Sequence, residues 1–311
     1  KDKNSNTSYA YNSVQGAIDM ATSEQFKFDL IGMPGIVDGN LRSRLISAID
    51  HPDRSDAMVI LDVDDDFQHY YETGTGKESL GTVSAALTDV KKIPNSSYAA
   101  CYYPQLKLAQ QHGGITVPAS VAGFGVIAQS ERIENAPWFA PAGFSRGGIG
   151  SLGISNRVKI SNVVKNLNKA NRDSLYVDCI NPISKFPGEG LVVFGQKTLR
   201  KEPTLSALDR INVRRLLIYL KKKIGEKARQ QLFEPNVQNT WNNFKNNVRP
   251  ILDDAKSRFG ISDYRLVLDE TTTTPELIDN NVLYAQVYIK PTRAIEFIVV
   301  DFIITSSGVE F

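Results

Sequence analysis

The sequence predicts an α/β fold: two α/β domains with helices packed on mixed sheets, plus an extended C-terminal β-strand arm. Three observations predict it. Apolar strands alternate with amphipathic helices through the first half, a glycine-rich stretch interrupts the chain midway, and the last segment is apolar on both faces of a strand. With 311 residues and roughly 100–200 residues per domain, two domains are expected, placed at 1–156 and 157–311.

In the first half, residues 26–31 alternate with period two and read as a strand. Asp38 is placed to cap a helix carrying Leu41, Leu45 and Ile49 on one face. Residues 57–62 (AMVILD) read as a buried strand, 80–91 as a weaker helix, 98–103 as a strand and 117–129 as a helix. That order argues for right-handed βαβ units and a mostly parallel sheet. Residues 141–156 hold five glycines, too many for a stable helix or a central strand, so the boundary is set near their end.

The second half is expected to open with a basic helix at 160–171. A strand at 175–180, a loop at 181–190 and a strand at 191–195 follow. A long helix begins near Ser206 and runs towards Gln230. Another carries Trp241, Phe244, Val248, Leu252, Ala255 and Phe259 at helical spacing, with Pro250 inside it. Strands at 264–268, 282–290 and 294–305 close the chain.

Composition, 41% apolar and 23% charged, is that of an ordinary soluble globular protein. No run of about 18 apolar residues is present, so membrane insertion is not expected. Cys101 and Cys179 lie singly in apolar runs and read as reduced core residues, neither a zinc signature nor a disulfide framework. Residues 1–156 hold 12 Lys/Arg against 17 Asp/Glu, a net −5, and residues 157–311 hold 24 against 17, a net +7. Halves of opposite sign can present one face to an acidic partner or to the acidic half of another copy.

Catalytic constellations are weak. Gly143-Phe-Ser145-Arg-Gly147 has the spacing of a nucleophile elbow. However, Pro141-Ala142 precedes it, and His51, His69 and His112 all lie upstream, where that chemistry places its histidine later in the chain. Asp62-Val-Asp64 ends an apolar run as the paired carboxylates of a Mg²⁺-dependent phosphatase do, and this is kept as a distant alternative. Such a site continues to Thr or Val where this chain has Asp66, and a solvated acidic loop is the plainer reading. Residues 73–78 resemble the tail of a phosphate loop but put Glu78 where a magnesium-binding hydroxyl belongs. The histidines have no Cys or Glu at ligand spacing, so neither a metal nor a cofactor is implied.

Two surfaces stand out instead. Residues 207–230 carry eight Lys/Arg and two acids, including Arg210, Arg214, Arg215, Lys221 and Lys222. They form a basic face suited to nucleic acid or to an acidic protein surface, or simply to solvent. In residues 295–305, Ile295, Phe297 and Val299 alternate with Ile298, Val300, Phe302 and Ile304, so both faces need cover. The segment is either a central strand of its own domain or pairs in part between subunits.

Several motifs occur in one order: Leu175-Tyr-Val-Asp-Cys-Ile-Asn181, Leu191-Val-Val-Phe-Gly195, Ala207-Leu-Asp-Arg-Ile-Asn-Val-Arg-Arg215, Leu232-Phe-Glu-Pro-Asn236, Trp241, Thr274-Pro-Glu-Leu-Ile-Asp-Asn-Asn281, Ile289-Lys-Pro291 and Ile295-Glu-Phe297. Met33-Pro-Gly35, Tyr102-Tyr-Pro104, Val117-Pro118 and Ala140-Pro-Ala-Gly143 precede them. With these the whole chain resembles the C-terminal body of contractile phage tail sheath proteins. The resemblance implies a structural, non-enzymatic virion subunit assembled in the host cytoplasm. It would form hexameric rings that stack around an inner tail tube and contract to drive the tube through the host envelope. Its partners would be other copies of itself, the tube protein, and the baseplate and tail terminator proteins, with no direct contact to nucleic acid. A sheath of a phage-like injection or secretion system is the alternative. Arms of adjacent subunits complete each other's sheets in this family, which implies an inter-subunit strand with Ile295, Phe297, Val299, Phe302, Ile304 and Phe311. A C-terminal-domain helix grips the tube; by charge and position residues 207–224 take that role, through Arg210, Arg214, Arg215, Lys221 and Lys222, with 160–171 as the rival. The N-terminal arm and the inserted outward domains of full sheaths are not evident in this sequence.

Overall fold

The computed structural model describes residues 9–296 except 24–25, 53, 69–78, 110–114, 153–157 and 202–205. The two apolar runs of the first half, Met58–Asp62 and Ala99–Tyr103, lie side by side and are buried along their whole length. Leu30–Gly32 pairs in parallel with the first and Ile180–Phe186 in parallel with the second. Gly190–Val193 closes that edge as an antiparallel hairpin. Strands from both sides of residue 156 therefore share one five-stranded mixed sheet.

Strand alternation sends successive side chains to opposite faces. Val59, Leu61, Ala99, Cys101 and Tyr103 enter one core, beneath Leu41, Leu45 and Ile49 of the helix Gly39–Ile49 and Val90 of the helix Val83–Val90. Met58, Ile60, Ala100 and Tyr102 enter the other, beneath Ala122, Val126 and Ile127 of the helix Ala119–Glu134. Gly123 lets that helix close on the sheet, since a Cβ there would stand 2.5 Å from the Tyr102 ring. Asp38 caps its helix as expected, accepting from the N–H groups of Asn40 and Leu41 at 3.0 and 2.9 Å.

The C-terminal part is a helical hairpin, Ile211–Arg229 and Gln238–Ser257, followed by an antiparallel ribbon, Ile261–Val267 with Gln286–Pro291. Leu216 and Leu220 meet Trp241, Phe244, Val248 and Leu252 between the helices. Ile211 and Ile218, on the same first helix, reach the second core of the sheet. One helix thus ties the hairpin and ribbon to the α/β body. Among the described residues no helix is long and apolar enough to cross a membrane, and both cysteines are free and buried.

Three elements differ from the sequence expectation. Residues 160–168 are not a helix. Val158–Val163 is a strand in a small antiparallel sheet, where a register shift lets Ile160 and Val163 both reach the core, and Asn168 then caps a helix at Lys169–Val177. The expected strand at 175–180 is the end of that helix up to Val177 and a turn at 178–179, and the strand begins only at Ile180. The expected loop at 181–190 is largely strand Ile180–Phe186, in which Pro182 lacks a donor but its carbonyl accepts from the N–H of Phe194.

Candidate assembly surface

The basic helix buries two of its five expected contact residues and ties the other three to polar groups of its own chain. Arg214 is 7% exposed, stacks 3.9 Å over the Tyr98 ring and donates to Ser97. Arg215 is 6% exposed and pairs with Glu131 at 2.6 Å. Burial lowers the Arg214 pKa from its ordinary value. Lys221 donates to the Pro52 carbonyl at 3.2 Å and to Ser55; Lys222 donates to the Phe28 carbonyl at 2.8 Å and pairs with Asp29. Arg210 clasps Glu296 through Nε and Nη2 at 2.5 and 2.8 Å.

The basic second half is thus seated on the acidic first half of its own chain. A tube-gripping face made of Arg210, Arg214, Arg215, Lys221 and Lys222 would have to break these contacts. Arg214, Arg215, Lys221 and Lys222 hold the helix to the first half of the chain, and Arg210 holds the base of the arm. In the rival segment, 160–171, residues 160–163 are strand and 169–171 open the helix Lys169–Val177. Of the same run, Arg229 lies exposed at the end of the helix, and Lys223 pairs with Glu226 at 3.7 Å.

Glu296 fixes the point from which the expected arm departs. Besides Arg210, it accepts from Gln196 at 3.3 Å. Ile295 beside it is 83% exposed. Phe297, Val299, Phe302, Ile304 and Phe311 lie outside the described residues. The neighbouring ribbon has two strands. Leu266, Val287 and Ile289 lean on the helical hairpin, while Tyr284 and Tyr288 face outward.

The catalytic readings find no support in the geometry. Asp62 is 5% exposed and fully engaged. It accepts from the Ser120 N–H and Ser120 Oγ, both at 2.7 Å, and from the Gly35 N–H at 2.9 Å. The helix Ala119–Glu134 has only Pro118 before it, and Asp62 supplies the missing cap from a distant strand. Burial pushes the Asp62 pKa upward from its ordinary value, which these hydrogen bonds oppose. Asp64 takes no such part; its backbone N–H donates to Asp89, whose carboxylate holds buried Arg42 at 2.6 and 2.9 Å. Ser145 is exposed on the four-residue helix Gly143–Arg146, with no strand leading into it. Residues 73–78, His69 and His112 lie outside the described residues.

Sequence reasoning missed both the capping role of Asp62 and the Arg210–Glu296 clasp. Ser120 is 58 positions from Asp62 and Glu296 is 86 from Arg210, so no local pattern joins them.

Residues 205–305 match the phage tail sheath C-terminal domain. The tail sheath protein of Enterobacteria phage T4 is 35% identical over 237 residues, covering 74% of this chain and 34% of the relative. That of Vibrio phage KVP40 is 39% identical over 187 residues, covering 60% and 26%. The chain therefore spans about a third or less of the curated relatives it matches. The fold is shared with the contracted sheath complex of an extracellular contractile injection system, PVC. That superposition has a TM-score of 0.70 at 21% identity and covers 89% of this chain and 71% of that one. The contracted helical sheath of the anti-feeding prophage gives 0.68 at 20% identity, covering 97% and 76%.

Proposed function

We propose that this chain, which over residues 205–305 belongs to the phage tail sheath C-terminal domain family, is a structural subunit of a contractile phage tail sheath. The observation that carries the reading is 35% identity with a phage tail sheath protein across 237 residues, well beyond the matched domain. The role is mechanical and not enzymatic, and its place is the virion. Copies form hexameric rings that stack around an inner tube and contract to drive the tube through the host envelope. The tube, the baseplate and the terminator are the other partners. The phage reading is preferred to an injection-system sheath because the curated matches of 35–39% identity are phage proteins, while the injection-system sheaths share the fold at 20–21%.

The physical design supports this. A subunit that keeps its shape while its neighbours shift needs a rigid body, which the doubly covered sheet and the inward-turned basic helix provide. It also needs joints that survive the shift. The two-stranded ribbon has outer edges that can accept strands, and main-chain pairing can join subunits there. The arm beyond Glu296 has 15 residues, a reach of about 50 Å if extended at roughly 3.3 Å per residue. It carries Phe297, Val299, Phe302, Ile304 and Phe311 and is the donor. Its departure point is set by the Arg210–Glu296 clasp.

Negative-stain microscopy of the full chain tests the reading: sleeves of uniform diameter are expected. Removing residues 297–311 is expected to leave folded monomers that form none. Normal sleeves from the shortened chain would show that the arm is not the joint.

A further inference from the structure

The helical hairpin has two contrasting ends. At its tip, the turn after Arg229 presents Leu232 at 63% exposure and Phe233 fully exposed. Phe233 has φ +69°, the left-handed region that a bulky aromatic side chain disfavours. An apolar ring held outward on a strained backbone costs the free subunit twice, and such outliers persist where a site over-determines them. The turn is itself ordered by bonds from the Leu232 N–H to the Arg229 carbonyl and from the Glu234 N–H to the Gln231 carbonyl.

At the open end lies a cavity of about 680 Å³, within the range of real ligand pockets. Trp138, Phe139, Phe194, Phe259 and Ile295 supply its apolar wall, and Phe259 and Ile295 are 76% and 83% exposed. Arg146, Lys169, Arg172 and Arg293 line it against two acids, Asp173 and Glu296, and Glu296 is already clasped by Arg210. Arg146 also pairs with Glu134 at 2.9 Å. Asn212, in the first turn of the basic helix, forms part of the lining. Phe233 follows the last turn of the same 19-residue helix, about 28 Å away at 1.5 Å per residue. A subunit cannot place its own tip in its own groove.

We propose that Leu232 and Phe233 of one copy seat in the Trp138–Phe194–Phe259 groove of a second copy, with Glu234 meeting the basic rim. The proposal rests on the sheath reading and adds a contact to it. Tip and groove are different patches on one molecule, so the contact is heterologous: it propagates head to tail into rings or filaments. The knob is aromatic and the pocket is largely apolar, the composition of interface hot spots. The net positive rim selects the acidic residue that adjoins the knob.

The test uses the full chain. Phe233→Asn relieves the backbone, since Asn tolerates the left-handed region, and removes the ring. The monomer is expected to melt at the same temperature as the parent or higher. The critical concentration for polymerisation is expected to rise at least about 30-fold, the factor that loss of a hot spot implies. Polymers of Phe233→Asn at the parental concentration overturn the proposal. A second arm keeps it decidable. Phe233→Cys combined with Phe194→Cys, oxidised in the assembled state, is expected to give a ladder of linked multimers. Native Cys101 and Cys179 are buried and serve as the background. A ladder from Phe194→Cys with Phe302→Cys in its place would make the C-terminal arm the occupant of the groove and sink the tip contact. If the unaltered chain forms no polymer, the sheath reading itself fails. If it polymerises but the Phe233–Phe194 pair does not link, only the tip-and-groove contact fails.

Discussion

In the central strand Met58–Asp62 every residue is buried, whereas in Ile261–Val267 only Ile261 is, and its partner Gln286–Pro291 has no fully buried residue. Both are regular strands. The first is covered on both faces by helices of its own chain. The second pair leans on one helical layer and leaves a face and its outer edges open among the described residues. An isolated two-stranded ribbon is marginal in water, so this one depends on the hairpin beneath it and gains from added strands. The difference divides the molecule into a body covered within one chain and a ribbon with one face open among the described residues. The contractile polymer proposed above requires such a division.

The comparison breaks first at the body, where the largest effect is expected. Arg42 and Asp89 form an ion pair with side chains 2% and 9% exposed, and the Asp89 carboxylate also accepts from the Asp64 N–H. Asp89→Ala leaves a buried guanidinium without its partner, which costs about 3–5 kcal/mol. Thermal or urea unfolding of the monomer reads this directly. A loss under about 1 kcal/mol would mean that water reaches Arg42 and that the body is less closed than described.

A smaller effect is expected from Asp65. It is 3% exposed, and burial, partly offset by its bond from the Phe67 N–H, pushes its pKa up to about 6. A carboxyl raised in the folded state binds its proton more tightly there than when unfolded. Its contribution to stability is full below the unfolded value of about 3.9 and is lost as pH rises through about 6. Between pH 4 and 6 the folded chain therefore loses at most about 1.4 kcal/mol per pH unit from this group. Asp65→Asn removes that dependence and keeps an acceptor for the Phe67 N–H. Unfolding curves of the two proteins are expected to diverge as pH rises from 4 to 7, the variant being the more stable at neutrality. Parallel curves would refute a buried, raised carboxyl.

How much of this was legible in the sequence follows the range of the interactions. The parallel sheet was readable because its central strands are unbroken apolar runs, a local signal. So were the two long helices, whose apolar stripes repeat at helical spacing. The strand Val158–Val163 was hidden by the nearby basic residues Lys159, Lys165 and Lys169, of which the last two have helical spacing. Ile180–Phe186 was hidden by Pro182. The basic helix was found, but the destinations of its cations were not: Arg215 meets Glu131 84 positions away and Lys222 meets Asp29 193 positions away. Charge composition announces that a face is basic and says nothing of whether its partner is another chain or the same one.

The least effect on stability, and the sharpest reading of the comparison, is expected at Tyr288. It is 56% exposed on the ribbon, opposite Arg265, and its hydroxyl donates to the Gln286 Oε1 two residues away. In the isolated subunit little depends on it, so Tyr288→Ser is expected to change unfolding free energy by less than about 0.5 kcal/mol. In the polymer proposed above, neighbouring strands cover the same face, and a tyrosine there presents a large rigid surface at low entropic cost. Sedimentation of the assembled chain is therefore expected to show a several-fold rise in critical concentration with an unchanged monomer. The opposite pattern, a destabilised monomer that still assembles normally, would place Tyr288 in the finished part of the molecule. It would move the line between body and joint past the ribbon, to the arm beyond Glu296.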